Sequence, residues 1–226
     1  MKREALIFPA VFEPATSSGR TFGSRADRLA DIAARAGVIV LFSLMAARFG
    51  ADFLSTGRIT GLLLLVSELL VVVMTVRRRS AASMDRSVRA RVLTLVSMMG
   101  PLMARPAQVA TIIPGGLTVA VSIVGLAVVI AGKMSLGRSF GLIPANRGVV
   151  SSGLYRLVRH PIYMGYLVTH AAFVAANPSA WNIAILVAAD VALLARAVCE
   201  EAVLGTDPKY RAYQQTVRWR VCPGLF

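Results

Sequence analysis

The 226-residue sequence has few charged residues, and acidic residues are especially scarce. Only 16% of the residues are charged whereas 56% are hydrophobic, and 11 Asp and Glu stand against 25 Lys and Arg. A soluble domain of this size needs more polar residues to cover its surface. The composition therefore excludes an ordinary soluble domain and predicts an integral membrane protein.

Cysteine and signal-peptide features are also missing. The two cysteines, Cys199 and Cys222, cannot define a disulfide framework, and neither has a His or a second Cys at metal-ligand spacing. We therefore predict free thiols and no metal site. The stretch up to Asp27 has no continuous apolar run, so it does not resemble a cleaved signal peptide, and we interpret 1–28 as a cytoplasmic lead-in.

Long apolar runs are what the sequence has instead. A helix that spans a bilayer needs about 20 predominantly apolar residues. Six segments approach that length: 33–53, 59–76, 92–113, 116–131, 162–176 and 180–199. Pro101, Arg105 and Pro106 interrupt the third segment, which is either a kinked span or a shorter one followed by a loop. The predicted fold class is all-α, a polytopic helical bundle of about six transmembrane helices.

The positions of the basic residues indicate the orientation. The net charge of +14 comes from short clusters between the apolar runs, which is typical of cytoplasmic loops and not of a nucleic-acid-binding groove. Of the 25 Lys and Arg, all but Arg48, Arg58 and Arg105 fall in regions predicted to be inside. The asymmetry predicts an even number of spans in the cell (inner) membrane, both termini in the cytoplasm, and no nucleic-acid partner.

The predicted spans divide the chain into three parts. A short turn, Asn177-Pro178-Ser179, joins the last two spans, so these helices are predicted to form an antiparallel hairpin whose cytoplasmic ends meet. The three parts are the lead-in 1–28, four N-terminal transmembrane helices in 29–134, and a cofactor-binding and catalytic region with the last two helices in 135–226.

Polar residues that could carry chemistry concentrate at the mouth of this hairpin. His160 and Tyr163 fall on one turn at the start of the fifth span. Arg196 and Glu200 are four residues apart and therefore share one face of the sixth. Together they offer donors for a carboxylate, an acceptor for an ammonium or ribose hydroxyl, and apolar side chains for a base.

Several motifs in this region occur in a recognisable order. They are Gly153-Leu154-Tyr155, Arg159-His160-Pro161-x-Tyr163-x-Gly165, Asn177-Pro178, Arg196-x-x-x-Glu200-Glu201-x-x-Leu204, Tyr210-x-x-Tyr213 and Arg220-x-x-Pro223. In order and spacing, this region resembles the isoprenylcysteine carboxyl methyltransferase family, within the wider group of membrane methyltransferases that includes phospholipid methyltransferases. The resemblance covers roughly the last 90 residues.

The resemblance implies a methyltransferase that uses S-adenosyl-L-methionine. The positions that it implies for cofactor binding are Arg147, Gly148, Val149, Val150, Tyr155, His160, Pro161, Ile162, Tyr163, Glu200 and Glu201. Arg196 and Glu200 are the catalytic candidates: Arg196 would orient a carboxylate acceptor, and a base such as Glu200 or Glu201 would act on a thiol or amine. The expected partners are membrane lipids and a lipophilic small-molecule or lipid substrate that enters from the bilayer.

Two alternatives come from other classes. The first is an NADPH-dependent membrane reductase, because sterol-reductase-like proteins share a similar Arg-His-Pro-x-Tyr hairpin; the paired glutamates after Arg196 favour the methyltransferase. The second is a non-catalytic membrane scaffold or transporter subunit, which does not explain why polar residues converge on one hairpin mouth.

Other ionisable and aromatic residues carry weaker expectations. Glu68, Asp190 and His170 lie within predicted spans, where ionisable side chains are costly, so they either line a substrate cavity or pair helix with helix. His170 lies too deep for direct contact with a cofactor at the mouth. Tyr210 and Tyr213 are predicted to pack the C-terminal segment over the site as a lid.

Overall fold

The computed structural model describes residues 25–57, 59–79, 81–85, 87–105, 107 and 110–226. These residues are mostly helical, as the all-α prediction expects, with one two-residue strand pair. The elements are α1 (Arg25–Thr56), α2 (Ile59–Arg77), β1 (Ser83–Met84), α3 (Val88–Met103), α4 (Gly115–Leu136), β2 (Ala145–Asn146), α5 (Pro161–Ala176), α6 (Ala180–Leu204) and α7 (Pro208–Thr216), with 3₁₀ turns at Gly137–Ser139 and Gly153–Arg156. Predictions for 1–24, Arg58 and Pro106 lie outside the described residues.

Local sequence signals set several helix ends. The Ser87 hydroxyl accepts a hydrogen bond from the Ala90 amide at 3.1 Å and so caps α3, and Ser179 caps α6 in the same way. Pro161 is the first residue of α5, where its missing N–H costs nothing. The interrupted third segment is the shorter of the two forms expected, because α3 ends at Met103.

Helix length and surface character support an integral membrane protein. Among the described residues, three helical segments are long and apolar enough to cross a membrane: Arg35–Ser55, Gly115–Ser139 and Ala180–Leu204. The helix α2 has 19 residues, whereas α3 and α5 have 16 each, which is short of the usual span. Large apolar side chains face outward along the long helices, for example Leu44 and Val191, as a surface in contact with acyl chains requires. The arrangement with six spans stays a prediction.

Glycines allow the central helices to approach closely. A Cβ on Gly165 of α5 would lie 2.7 Å from the carbonyl oxygen of Gly125 on α4, and a Cβ on Gly125 would lie 2.7 Å from Thr169 Cγ2. On the other side of the bundle, a Cβ on Gly100 of α3 would overlap with Ala189 of α6. The helix pairs α4–α5 and α3–α6 therefore pack backbone to backbone, as small residues permit in membrane bundles.

One end of the bundle gathers the loops. The Arg79 amide donates to the Arg138 carbonyl at 2.9 Å, which ties the end of α2 to the end of α4. The strands β1 and β2 pair antiparallel, with Ser83 opposite Asn146, and connect the loop before α3 to the loop after α4. The starts of α3 and α5 and the end of α6 lie at this same end, so many of the basic residues predicted to be inside share one side of the molecule.

A buried core lies directly behind this end. It joins α4, α5 and α6 to the segment after α7, and consists of Val129, Ile162, Tyr163, Leu193, Ala197 and Val221. This core fixes the relative positions of the first turn of α5 and the last two turns of α6, where the candidate residues lie.

Candidate functional site

Backbone pairing with the C-terminal segment holds the start of α5. The Arg159 amide donates to the Trp219 carbonyl at 2.9 Å, and the His160 amide donates to the Arg220 carbonyl at 2.7 Å. Pro161 follows as a fully buried residue. The position of the His160 ring is therefore set by main-chain contacts on one side and by the helix on the other.

Glu201 is the centre of a buried ion cluster behind His160. Its Oε1 accepts from Arg159 Nε at 2.8 Å and lies 3.2 Å from His160 Nε2, while its Oε2 accepts from Arg220 Nε at 2.9 Å. Because an ionised carboxylate can only accept, His160 donates through Nε2 and presents Nδ1 to the opposite side. Glu201 thus positions His160.

Glu200 lies on that opposite side. Its Oε1 accepts from the Tyr163 hydroxyl at 2.5 Å and from Arg196 Nε at 3.2 Å, and its Oε2 lies 3.7 Å from His160 Nδ1. The Arg196 guanidinium also lies 5.4 Å from the centre of the Tyr163 ring. We call these four residues, His160, Tyr163, Arg196 and Glu200, the mouth cluster.

A small cavity opens beside the mouth cluster, which we call the loop cavity. Its volume is about 90 Å³, and the loop between α4 and α5 forms most of its wall. Lining residues that the sequence predicted are Arg147, Gly148, Val149, Val150, Tyr155, His160 and Glu200. Four further lining residues were not among the predicted binding positions: Ser139, Gly141, Arg159, which the motif contains, and Tyr210, which was predicted in the lid. A Cβ on Gly141 would overlap with the Arg147 guanidinium, so glycine allows that cation to lie against the cavity.

Asn146 determines the conformation of this loop. Its Oδ1 accepts from the Gly148 amide at 3.0 Å, and its Nδ2 donates to Asp207 Oδ2 at 3.1 Å. Gly148 has a φ of 102°, which favours glycine. The donation from Asn146 lowers the pKa of Asp207, whose other oxygen accepts from the Lys209 amide and so caps α7. The loop and α7 are therefore joined through Asn146 and Asp207, which no motif in the sequence singles out.

Three tyrosines close the loop cavity from the side of α7. Burial raises the pKa of Tyr155 and of Tyr210 well above the usual range, and raises the pKa of Tyr213 to about 12. The Tyr213 hydroxyl donates to the Tyr155 carbonyl at 2.7 Å. Among the described residues the Tyr210 hydroxyl has no hydrogen-bond partner, although it is buried and its residue lines the cavity. The contacts place α7 over the site, where a lid was predicted.

A second and much larger space, the helix cavity, lies within the bundle. It has a volume of about 590 Å³ and a mostly apolar wall, to which the six long helices all contribute. Three predicted site residues line it without lining the loop cavity: Ile162, Tyr163 and Arg196. Of the three ionisable residues predicted within spans, Glu68 and His170 also line it.

The two cavities meet at a common wall. Five residues line both of them: Leu136, Gly141, Tyr155, His160 and Glu200. His160 and Glu200 are thus at the junction between a loop-lined space whose wall is half polar and a helix-lined space whose wall is mostly apolar. Two other predicted binding residues, Pro161 and Glu201, line neither cavity; Glu201 acts on the site through His160, and Pro161 begins α5 directly after it.

Comparison with protein families agrees with this geometry. Residues 118–206 match the family model of the isoprenylcysteine carboxyl methyltransferase (ICMT) family. This segment is therefore similar to the isoprenylcysteine carboxyl methyltransferase family. The ICMT family is one of membrane methyltransferases, so the resemblance in the motifs is confirmed for this part of the chain. No curated protein matches the chain significantly.

The ICMT segment coincides with the elements that build the site. It begins within the first turn of α4 and ends just after α6, so it includes the loop of the loop cavity and the whole mouth cluster. The helices α1, α2 and α3, which complete the helix cavity, lie outside it, as do α7 and the C-terminal segment. The match gives no support to the reductase alternative.

Proposed function

We propose that the chain is an S-adenosylmethionine-dependent methyltransferase of the cell (inner) membrane, with both termini in the cytoplasm, that methylates a lipophilic carboxylate, thiol or lipid head group at the cytoplasmic face. The observation that carries this proposal is the wall shared by the two cavities. Methyl transfer requires a polar donor and an acceptor to meet at one point from opposite sides. His160 and Glu200 lie at such a point, between a half-polar cavity at the loop end and a mostly apolar cavity among the helices.

The side chains of the loop cavity fit the methyl donor. Arg147 and Arg159 can hold its carboxylate, Glu200 can accept from its ammonium or ribose hydroxyls, and the unpaired Tyr210 hydroxyl supplies a further polar contact. Val149 and the other apolar lining residues suit the base. The volume of about 90 Å³ is less than a ligand of this size needs, so the bound molecule would extend past the shared wall toward the helix cavity.

The residues of the mouth cluster can support transfer without a protein nucleophile. Bound S-adenosylmethionine supplies an electrophilic methyl group on a sulfonium. Arg196 can orient an acceptor that is already ionised, such as a carboxylate, and the free Oε2 side of Glu200 can take a proton from a thiol or amine. Positioning and exclusion of water would supply most of the decrease in activation free energy, about 7 to 11 kcal/mol in favourable cases.

The test is a binding and transfer measurement on the purified full chain in detergent. We expect binding of S-adenosylhomocysteine, and transfer of labelled methyl from S-adenosylmethionine to a component of a membrane lipid extract or to a member of a panel of lipophilic thiols and acids. His160→Ala should abolish the binding, whereas His170→Ala, the matched change deeper in the bundle, should keep the affinity for S-adenosylhomocysteine. Tight NADPH binding without S-adenosylhomocysteine binding would contradict the proposal.

A further inference from the structure

A second group of polar residues lies on the wall of the helix cavity and directly behind it. We call it the inner polar cluster: Ser67, Glu68, Tyr166 and His170 line the cavity, and Lys133 and Asp190 contact them from behind. Lys133 is 1% exposed, and its Nζ donates to the Ser67 carbonyl at 3.1 Å and to the Ser67 hydroxyl at 2.7 Å. The same Nζ lies 5.8 Å from the centre of the Tyr166 ring. These contacts join α2, α4 and α5.

Glu68 is the member whose hydrogen bonding is incomplete. Its Oε1 lies 3.5 Å from the Ser67 hydroxyl, and its Oε2 has no hydrogen-bond partner among the described residues. The residue is only 7% exposed and lines the helix cavity. An unsatisfied carboxylate oxygen is costly in an apolar interior, and it is retained where a ligand supplies the missing donor.

His170 provides a second polar atom on the wall of this cavity. Its Nδ1 lies 2.6 Å from Asp190 Oδ1, which fixes the ring, and its ring stacks with Tyr166 at a centroid distance of 6.2 Å. Because Nδ1 is engaged with Asp190, Nε2 is the ring nitrogen available to a ligand. His170 therefore resembles His160 in being held by a carboxylate on α6 while facing a cavity.

The two clusters are one short molecule apart. His170 follows Tyr163 of the mouth cluster by two helical turns, which is roughly 10 Å along α5. Both residues line the same helix cavity. If the reactive end of a lipophilic molecule lies at the mouth cluster, its chain would extend along the helix cavity past the inner polar cluster.

We propose that the inner polar cluster is a second recognition site, at which Glu68 Oε2 accepts a hydrogen bond from a hydroxyl group carried by the methyl acceptor, with His170 as a further polar contact on the same cavity wall. This inference rests on the proposed function and specifies the substrate class: a lipophile with its reactive group at one end and a hydroxyl farther along its chain. A neutral donor fits better than an ammonium, because the Lys133 cation already lies against Ser67, the neighbour of Glu68. Helix pairing alone explains the Lys133–Ser67 and His170–Asp190 contacts. It does not explain why the buried Glu68 Oε2 has no hydrogen-bond partner among the described residues.

The test compares pairs of compounds that differ only in a terminal hydroxyl. The pairs are octanoic acid with 8-hydroxyoctanoic acid, and octanethiol with 8-hydroxyoctanethiol. Their affinities for the full chain are measured in detergent with S-adenosylhomocysteine present. We expect the hydroxylated member of at least one pair to bind about tenfold more tightly. Glu68→Met should remove this preference, and Ser122→Ala, which deletes another hydroxyl from the wall of the same cavity, should leave it unchanged.

The outcomes separate this inference from the proposed function. Equal affinity within both pairs, no binding of any of the four compounds, or a preference that persists in Glu68→Met would overturn the inference, even if S-adenosylhomocysteine binding and methyl transfer remain. If the unmodified protein neither binds S-adenosylhomocysteine nor transfers methyl groups, the proposed function is refuted. The preference for the hydroxylated compound would still be measurable. The comparison within the unmodified protein decides the matter if Glu68→Met does not fold.

Discussion

The loop cavity and the helix cavity are built by opposite means. The loop cavity is small and half polar, and its shape depends on hydrogen bonds among loop residues such as Asn146 and Gly148. The helix cavity is large and mostly apolar, and its shape depends on how six helices pack. Under the proposed function, affinity for the donor would therefore depend on a few side chains, whereas selection of the acceptor would depend on the space within the bundle. The following changes would break or sharpen this comparison.

The largest effect is expected from the buried ion cluster that supports both cavities. Glu201→Leu would leave Arg159 without its carboxylate in a buried site, and we expect a loss of about 3 kcal/mol in the free energy of unfolding. Thermal unfolding in detergent measures this loss. Glu201→Gln, which keeps an acceptor of the same size, should lose less. Equal stability of Glu201→Leu and the unmodified protein would show that the cluster does not hold the site together.

A change at Glu200, which lies on the shared wall, should affect chemistry more than stability. Glu200→Gln removes the negative charge that Tyr163 and Arg196 contact. The side chains of these two residues would then shift at the junction of the cavities. We expect kcat/KM for methyl transfer to fall by about 100-fold. Asp85→Asn, which lies outside both cavities, is the control and should keep full activity. A fall of less than threefold for Glu200→Gln would contradict the role given to the shared wall.

Filling the helix cavity should affect the acceptor alone. Ala172 lines that cavity, whereas its neighbour Ala171 is exposed on the outer face of α5. Ala172→Phe should weaken the binding of lipophilic acceptors by about tenfold and leave the Kd for S-adenosylhomocysteine unchanged. Ala171→Phe should change neither quantity. If both variants weaken the two ligands equally, the cavities are not separate in function.

The smallest effect concerns alkaline pH at the loop cavity. Burial raises the pKa of Tyr213 from its ordinary value near 10 to about 12. The folded pKa is the higher one, so the contribution to stability is complete below pH 10 and is lost as the pH rises through 12. The unfolding temperature should therefore fall over this window, and less so in Tyr213→Phe. Tyrosinate absorbance tests whether the raised pKa of Tyr213 is the cause. If all the tyrosines titrate near pH 10, the explanation is wrong.

The sequence predicts the positions of the helices better than it predicts which part of each helix lies in the apolar layer of a membrane. Apolar runs place α2, α4 and α6 within a few residues of their observed ends, because burial among helices and in lipid favours the same side chains. The start of α1 differs more, since the helix begins at Arg25 and not near residue 33. Polar residues such as Arg35 at that end are compatible with a helix outside the apolar layer, which hydropathy does not detect.

For the site, spacing within one helix was informative and contacts between distant segments were not. Four-residue spacing correctly placed Arg196 beside Glu200. By contrast, the resemblance implies a cofactor position for both Glu200 and Glu201, but only Glu200 lines a cavity. The contacts of Glu201 with Arg159 and Arg220, which come from other segments, distinguish the two glutamates. The helix cavity could not be predicted for the same reason. Six helices enclose it, and no single helix carries a sequence pattern that indicates the space.

The glycine contact between α4 and α5 limits how the protein can open. At Gly125 and Gly165 the two backbones touch without intervening side chains, so neither helix can slide past the other without a steric clash. The same holds for α3 and α6 at Gly100, so an opening that admits a membrane-dissolved molecule is expected at another seam, between the pair α1–α2 and the rest of the bundle. The contact between α4 and α5 meanwhile holds the start of α5 in place.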